Sequence, residues 1–511
     1  MKKTLLVSAA TLMVSLPTFA GDYLTNTNQH AAFLRMVARG ASIDIDGVLS
    51  NPAGLAFLPK DGFYLSLTGQ SAFQTRNISA TTPLWTQDGQ NTTRLYEGKA
   101  SAPIIPSFHA AYKKDNWTLS TSFAITAGGG KASFDSGLPM FDAAAMGLIT
   151  QLSQGALTPS MYDINSSMEG RQYIYGLQLG LTYKVNDWLS VYAGGRMNYF
   201  SGGYKGFLNI GLKEGAMEQA GATLVAKYTQ LGIEQLTNQL VQAGLPQETA
   251  QQQALQHKAE IMQQAAQQVQ AAAPAMQQKL ENAKIELDCD QSGWGLTPII
   301  GVDAKFGPLN IGARYEFVTN MNIENKTNKL ECPAEAEAVM APYAHGVNTP
   351  SDIPAMLSVG AQYAILPSLR VSAEYHFFDD KNAGMAEVTL PDGTTTGKQN
   401  TLKRGTNEFL GGIEWDVDQR LTVSCGMQRT SYGVSDNFQT DTSFYCSSYS
   451  YGFGARVHLN EQLNMDIAYF WTNYGKYQKD SDHYYGLANI KGSNVYDRTN
   501  KVFGLSLNYQ F

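Results

Sequence analysis

The chain has 511 residues, 16% of them charged, with 37 Lys and Arg against 44 Asp and Glu for a formal net charge of −7. That mild acidity excludes the basic footprint of a nucleic-acid binder. Forty-eight glycines and 27 tyrosines suit a β-rich protein, and four cysteines over this length are too few for a disulfide scaffold.

Residues 1–20, "MKKTLLVSAATLMVSLPTFA", read as a secretory signal peptide. Lys2 and Lys3 form the basic region, Leu5 to Leu16 the apolar region, and Thr18-Phe19-Ala20 a small-residue cleavage site. Cleavage after Ala20 would remove two lysines and no acids, moving the net charge from −7 to −9. No later stretch offers eighteen or so consecutive apolar residues, so no transmembrane helix is predicted. The exported chain is then periplasmic, secreted, or a barrel in the outer membrane.

Residues 21–60 do not alternate. In "NQHAAFLRMVARG", Ala32, Phe33, Met36 and Val37 fall at helical spacing, with Gly40 as a stop. Asn51-Pro52 and Ala53-Gly54 are turn chemistry. This segment must bury Leu34, Ile43, Ile45, Val48, Leu55, Phe57 and Leu58, and ahead of a barrel the available place is the lumen.

From residue 61 onward, period-two alternation recurs. "FYLSLTG" sets Phe63, Leu65 and Leu67 on one side, and "WTLSTSFAIT" does so with Trp117, Leu119, Phe123 and Ile125. The cleanest case is "YIYGLQLGLTYKV", with Tyr173, Tyr175, Leu177, Leu179, Leu181, Tyr183 and Val185 against small or polar partners. Similar segments begin near Ser107, Trp188, Trp294, Leu309, Ala355, Val371, Glu408, Leu421, Ser447 and Leu463, and the chain closes on "VFGLSLNYQF". The predicted class is all-β: an antiparallel transmembrane barrel of about fourteen strands, many near the roughly 9–11 residues that cross a bilayer when tilted. Short turns at "KKDN", "VNDW", "FGPL", "LPSL", "VDQR" and "LNEQ" alternate with long connections around 70–104, 127–170, 203–290, 320–350, 380–404, 434–442 and 475–500. Short periplasmic turns and long extracellular loops are the outer-membrane pattern, whereas a soluble sandwich has no reason to segregate them.

Phe503, Leu505 and Leu507 are therefore expected to meet lipid, with Tyr509 and Phe511 in the periplasmic aromatic girdle. The opposite faces carry Arg196, Asp303, Lys305, Arg314, Glu316, Glu374, His376, Glu408, Glu414, Arg456 and Asp466. Facing lipid, basic residues among them would cost about 2–4 kcal/mol each at mid-membrane, so this face looks into the lumen. Mutual pairing there is the first reading and ligand contact the second.

The connection at 134–161 carries Phe134, Leu138, Met140, Phe141, Met146, Leu148, Ile149 and Leu152, too apolar for an idle solvent-exposed loop. Residues 214–284 are rich in Gln and Ala. Met217, Leu224, Val225, Tyr228, Leu231 and Leu240, then Leu255, Ile261, Met262, Ala265 and Val269, recur at three- and four-residue steps on either side of "AGLPQETA". This predicts a helical hairpin of about 30 residues per arm, with Pro246 at a helix start. The alternative is low-complexity disorder.

The layout resembles the FadL/TodX family of long-chain fatty-acid and hydrocarbon transporters. The likeness rests on the signal peptide, a short N-terminal hatch, "NPAGLA" directly before the first strand, about fourteen strands and a terminal Phe. Its specific part is residues 48–69. The resemblance implies a hatch motif at Asn51, Pro52 and Ala53, followed by Gly54, that plugs the lumen. It also implies an inward kink of the third strand that opens a lateral portal, matched here by Gly128, Gly129 and Gly130 in "ITAGGGK"; these glycines otherwise serve as a flexible exit into the loop. Loop segment 134–161 would form a hydrophobic capture groove, unless it buries itself against its neighbour. Phe511 resembles the signal read by the barrel assembly machinery. The expected activity is passive uptake of hydrophobic compounds such as long-chain fatty acids across a lipopolysaccharide-coated outer membrane of a Gram-negative bacterium, by a monomer without metal or other cofactor.

Enzymatic readings are weaker. His109 and His376 both point inward by alternation, away from any lipid-facing hydrolase site, and no nucleophile-elbow motif is present. Asp480, Asp482 and His483 could ligate a cation, yet three polar residues in a loop are weak evidence for such a site. An adhesin or partner-binding barrel remains compatible with the helical insertion, and uptake of aromatic hydrocarbons or porphyrins with the barrel. Among the cysteines, Cys289 and Cys332 both fall towards the extracellular side and are expected to pair. Cys425 and Cys446 fall at opposite heights, beyond the roughly 7 Å Cα separation a disulfide tolerates.

Overall fold

Alternation turns into strands wherever lipid on one side and polar neighbours on the other reward a two-faced extended segment. The computed structural model describes residues 28–85, 93–389 and 395–511. The expected signal peptide lies outside them. Among the described residues, fourteen strand positions close into one antiparallel barrel. They are β1 (Gly62–Thr81), β2 (Thr93–Lys114), β3 (Trp117–Phe134), β4 (Tyr162–Lys184), β5 (Leu189–Leu212) and β6 (Ile285–Phe306). Next come β7 (Leu309–Glu316, continued by Asn322–Glu331), β8 (Met356–Leu366, preceded by Asn348–Pro350) and β9 (Leu369–Phe378). The set ends with β10 (Thr406–Asp416), β11 (Leu421–Ser431), β12 (Ser448–His458), β13 (Leu463–Tyr474, continued by Tyr477–Ser481) and β14 (Gly492–Gln510). β14 pairs with β1 from Tyr64–Gln510 to Thr81–Ser493, which closes the ring. At the seam, Phe63 N–H donates to the Phe511 carbonyl at 2.8 Å and Phe511 N–H to the Phe63 carbonyl at 3.0 Å.

The expected turns all lie at one end, and the outer face carries the predicted apolar belt. Leu67, Leu119, Leu177, Leu179, Leu181, Ile300, Ile413, Ile467, Phe503, Leu505 and Leu507 are exposed. Below them a ring of exposed aromatics includes Phe63, Tyr112, Trp117, Trp188, Phe306, Trp415, Tyr509 and Phe511, with Phe63 stacked on Phe511. Exposed large side chains in this arrangement are favourable only against hydrocarbon.

Several expected loops are strand instead. β1 to β6 and β14 run for 18 to 24 residues, while β8 to β12 run for 10 or 11. Much of 70–104, 162–170 and 203–212 is therefore wall standing above the belt. Its outer face is polar and held by cross-strand pairs such as Lys131–Glu169 at 2.8 Å and Lys205–Asp288 at 3.1 Å. A wall wet outside lacks the apolar alternation by which the lower strands announce themselves.

Helical loop structures cover the extracellular mouth. α1 (Ala31–Arg35) and α2 (Gly47–Ser50) belong to the N-terminal segment, while α3 (Pro139–Leu152) forms part of the cap. The insertion folds as α4 (Ala216–Gln242), α5 (Gln247–Gln256) and α6 (Lys258–Glu281), with the chain turning at Ala243–Pro246 and again at His257. Its base enters the cap core through Ala216, Ala220, Leu224, Val269 and Leu280, next to Leu138, Met146, Trp85, Tyr484 and Tyr496.

The cysteine expectation fails on register. Cys289 in β6 stands opposite Thr327, and Glu286 opposite Glu331, so Cys332 lies several residues further along the wall. All four cysteines are free thiols, including Cys425 and Cys446.

A plugged chamber beside a break in the wall

Residues 28–60 sit inside the barrel, and the physical reason is visible residue by residue. Leu34, Met36 and Val37 pack on Leu410, Ala468, Phe470 and Val502. Ile45, Val48, Leu55 and Leu58 pack on Tyr64 and Ala111. Each such side chain contributes roughly 1.5–3 kcal/mol on burial. The helix predicted around Ala32–Val37 is a short one that stops at Arg35, with the backbone already extended at Met36. Wall glycines make the space: a Cβ at Gly312 would collide with the Gly40 carbonyl, and one at Gly452 with that of Leu34.

Polar contacts fasten the segment around the ring. Asn51 donates from Nδ2 to Asp303 Oδ2 at 2.6 Å, and its Oδ1 accepts from Gly54 N–H at 3.3 Å, capping the 3-10 turn Pro52–Phe57. The Pro52 carbonyl accepts from Thr182 at 2.8 Å and the Ala53 carbonyl from Ser190 at 2.7 Å. The "NPAG" residues thus sit in the lumen with their backbone bonded to the wall. On the other side Gly40 N–H donates to Glu374 at 2.7 Å, and Arg35 and Arg39 enter a dense ionic cluster with Asp44, Asp46, Glu414, Asp466, Arg370 and Arg456. The sequence signalled the wall half of this cluster. It missed the segment's own half, although Arg35, Arg39, Asp44 and Asp46 in an apolar stretch were the available clue.

Above the plug lies a chamber of about 310 Å³. Of the predicted lumen residues, Arg196, Arg314, Glu316, Glu374 and His376 line it, whereas Asp303 is buried below at the Asn51 contact. They pair as expected. Arg196 and Arg314 share Glu316, and His376 bridges Glu374 at 2.6 Å and Glu408 at 3.0 Å.

The chamber reaches the wall at Ile105, Ile125, Gly128, Gly130 and Tyr173. There β2 and β3 part. They pair from Lys114–Trp117 to Phe108–Phe123 and again from Ala100–Ala132 to Gly98–Phe134, with no ladder between. Pro103 and Pro106 fall in this gap and have no N–H to offer β3. On the other edge, the β3–β4 register slips between Ile125 and Ala127 and again before Gly130. Gly128 has φ +114° and Gly130 φ +73°, conformations that glycine takes without penalty. A Cβ on Gly128 would strike the Gln172 carbonyl. Gly129 lies within the same strand.

The capture residues are arranged differently from the expected open groove. Phe134, Leu138, Met140, Met146 and Ile149 are buried; Phe141, Leu148 and Leu152 are half-buried. They form the inner face of a cap, because α3 finds apolar partners in Ile78, Trp85, Tyr484 and Tyr496. A recess of about 60 Å³, touched by Phe134, Leu138, Met168 and Gly130, opens between cap and wall. The cap is pinned by Asp441, which accepts from Met140 N–H at 2.9 Å, Tyr485 at 2.5 Å and Tyr496 at 3.0 Å. Burial holds the Asp441 carboxyl above its ordinary range.

No family model matches the sequence, and no curated protein does. Solved structures do resemble the fold. A FadL homologue of Pseudomonas aeruginosa aligns over 96% of this chain and 100% of its own, at 15% identity and TM-score 0.61. The toluene transporter TodX of Pseudomonas putida aligns over 96% and 99%, at 13% identity and TM-score 0.51. With its apolar belt, aromatic ring and internal plug, the chain is an outer-membrane β-barrel built on the FadL/TodX fold.

Proposed function

We propose that this barrel is a passive channel for hydrophobic compounds, among them long-chain fatty acids, that enter beneath the extracellular cap, rest in the chamber and leave sideways into the membrane. The observation that carries the reading is the missing β2–β3 ladder where the chamber meets the wall. A route straight down would have to break the ionic cluster and the backbone bonds of the plug, whereas the sideways route breaks no ladder. The driving term is transfer of hydrocarbon from water, roughly 0.8 kcal/mol per buried CH₂. No step requires nucleotide or bond chemistry, so the protein acts as a channel rather than an enzyme. Recess residues Phe134 and Leu138 would be the first apolar contacts. Lipopolysaccharide surrounds the barrel, Phe511 at the closing seam serves its assembly, and a closed ring works as a monomer. TodX, a toluene transporter on a similar fold, agrees with apolar cargo.

The decisive test replaces Gly128, Gly129 and Gly130 together with valine. Uptake of a labelled fatty acid should fall while the barrel assembles normally. Wild-type uptake would place the exit elsewhere.

A second reading, a partner-binding surface protein, draws on the helical insertion, whose outer half exposes Leu231, Val241, Leu255 and Met262. Deleting residues 229–262 separates the two: a channel keeps its uptake, whereas a surface receptor loses its partner.

A further inference from the structure

One stretch of the chamber wall is polar without being charged. Gln74, Asn500, Thr472, Ser450 and Gln428 stand directly opposite one another across β1, β14, β13, β12 and β11, forming a single row around the barrel. All five line the chamber, as does Gln70 one inward position below Ala72. A channel shaped only for hydrocarbon gains nothing from such a row, because buried polar groups cost free energy unless they find partners.

The row satisfies itself only in part. The Ser450 and Thr472 hydroxyls bond each other at 2.9 Å. Gln428 donates from Nε2 to Glu408 at 2.8 Å and to Thr430 at 3.0 Å, which fixes its amide so that the remaining end is an acceptor. Gln428 Oε1, Gln74 Oε1, Asn500 Oδ1 and Gln70 Nε2 are buried without a hydrogen-bond partner. Three leftover acceptors in one row, with one donor four residues along β1 from Gln74, call for a ligand rich in neutral donors. A carboxylate offers none to these acceptors, and the chamber's cationic side chains already have acidic partners, Arg196 and Arg314 in Glu316 and His376 in Glu374 and Glu408, with the Nε of Arg196 and of Arg314 left without a hydrogen bond. The chamber also offers apolar surface, through Phe33, Val37, Ile105 and Ile125.

We propose that the chamber selects amphiphiles that carry two or more uncharged hydroxyl groups beside a hydrocarbon chain, in preference to bare hydrocarbons and to fatty carboxylates. This rests on the uptake reading above and refines its cargo. Ligand hydroxyls would donate to Gln428, Asn500 and Gln74, while the chain lies along Phe33 and Val37 towards the break in the wall.

The test uses the full-length protein in lipid nanodiscs and three probes of one chain length: 1-monolauroylglycerol, laurate and dodecane. Monolauroylglycerol should bind at least about tenfold more tightly than either of the others. Gln428→Leu and Asn500→Leu should each erase that preference and leave dodecane binding within about twofold of wild type. Thr472→Val, nearly isosteric, should weaken the preference without disturbing the fold, and heat-modifiable gel migration reports assembly of every variant. Equal binding of laurate or dodecane by the wild type overturns the proposal, as does a loss common to all three probes or no change in the variants. If none of the three binds or crosses, the uptake reading itself falls.

Discussion

Arg35 of the plug and Asp466 of β13 form an ion pair at 2.9 Å with both side chains essentially out of solvent. The same guanidinium reaches Glu414 on β10 and the Ser424 hydroxyl on β11. One residue of a short α-helical turn therefore ties three strands to the plug, and Arg456 and Arg39 extend the tie to Asp44 and Asp46. Removing one partner of such a buried set leaves charge uncompensated, which costs about 3–5 kcal/mol.

The first prediction follows from that cost. Arg35→Leu should leave an assembled barrel whose plug is loose, and deleting residues 21–58 with the signal retained should remove the plug altogether. Both should admit small hydrophilic solutes, the deletion more than the point variant. Conductance in planar bilayers measures this, and unchanged conductance in the deletion would show that the segment does not seal the lumen.

The gap in the wall can be tested from β2 without touching a glycine. Pro103→Thr with Pro106→Thr restores two N–H donors and β-favouring side chains opposite β3. Partial zipping of the β2–β3 ladder should slow fatty-acid uptake by about tenfold or less, a smaller effect than the triple-valine change. Hydrogen exchange at residues 101–107 should slow in parallel. Faster or equal uptake with a slowed exchange would separate the gap from the route.

The cap should be sensitive to pH. Asp380, fully buried just above the end of β9, accepts from Thr406 N–H at 2.7 Å. Burial pushes its carboxyl up to about 7, helped by Asp379 and Glu408 and opposed by that hydrogen bond. The folded state thus binds a proton that the unfolded loop, with an ordinary carboxyl near 3.8, releases earlier. The stabilisation is complete below about pH 4 and is lost as pH rises through about 7. Asp441, raised in the same sense, adds to the trend. Limited proteolysis of the loop at 379–405 should be slower at pH 5 than at pH 8. Asp380→Asn, permanently neutral, should flatten that dependence; an unaltered profile would assign the titration elsewhere.

The β6–β7 register gives a covalent test. Cys289 stands opposite Thr327, with Sγ and Oγ1 at 3.3 Å. Thr327→Cys should therefore bridge to Cys289 on oxidation, whereas the wild-type chain should show Cys289 and Cys332 as separate alkylated thiols. A native Cys289–Cys332 peptide would shift this register by several residues.

Much of the architecture was legible because a bilayer imposes a strict pattern. Leu177, Leu179 and Leu181 had to share one face, the turns had to be short at one end, and Tyr509 with Phe511 had to sit where headgroups begin. Local chemistry also reached into the plug: Asn51-Pro52 specified a capped turn, and the steps from Leu224 to Leu231 and from Leu255 to Val269 specified helices. Tertiary structure decided whatever depends on partners distant in the chain. Asp466 meets Arg35 across 431 residues, and no local spacing announces that pair. Phe134, Leu138 and Met146 looked alike as groove or cap until Trp85, Tyr484 and Tyr496 arrived from other loops to cover them. Pro103 and Pro106 became a break in the wall only because β3 slips its register beside them. The row from Gln74 to Gln428 exists only once five strands are laid in register, since periodicity fixes which face a residue takes and closure of the ring fixes which residues share a height.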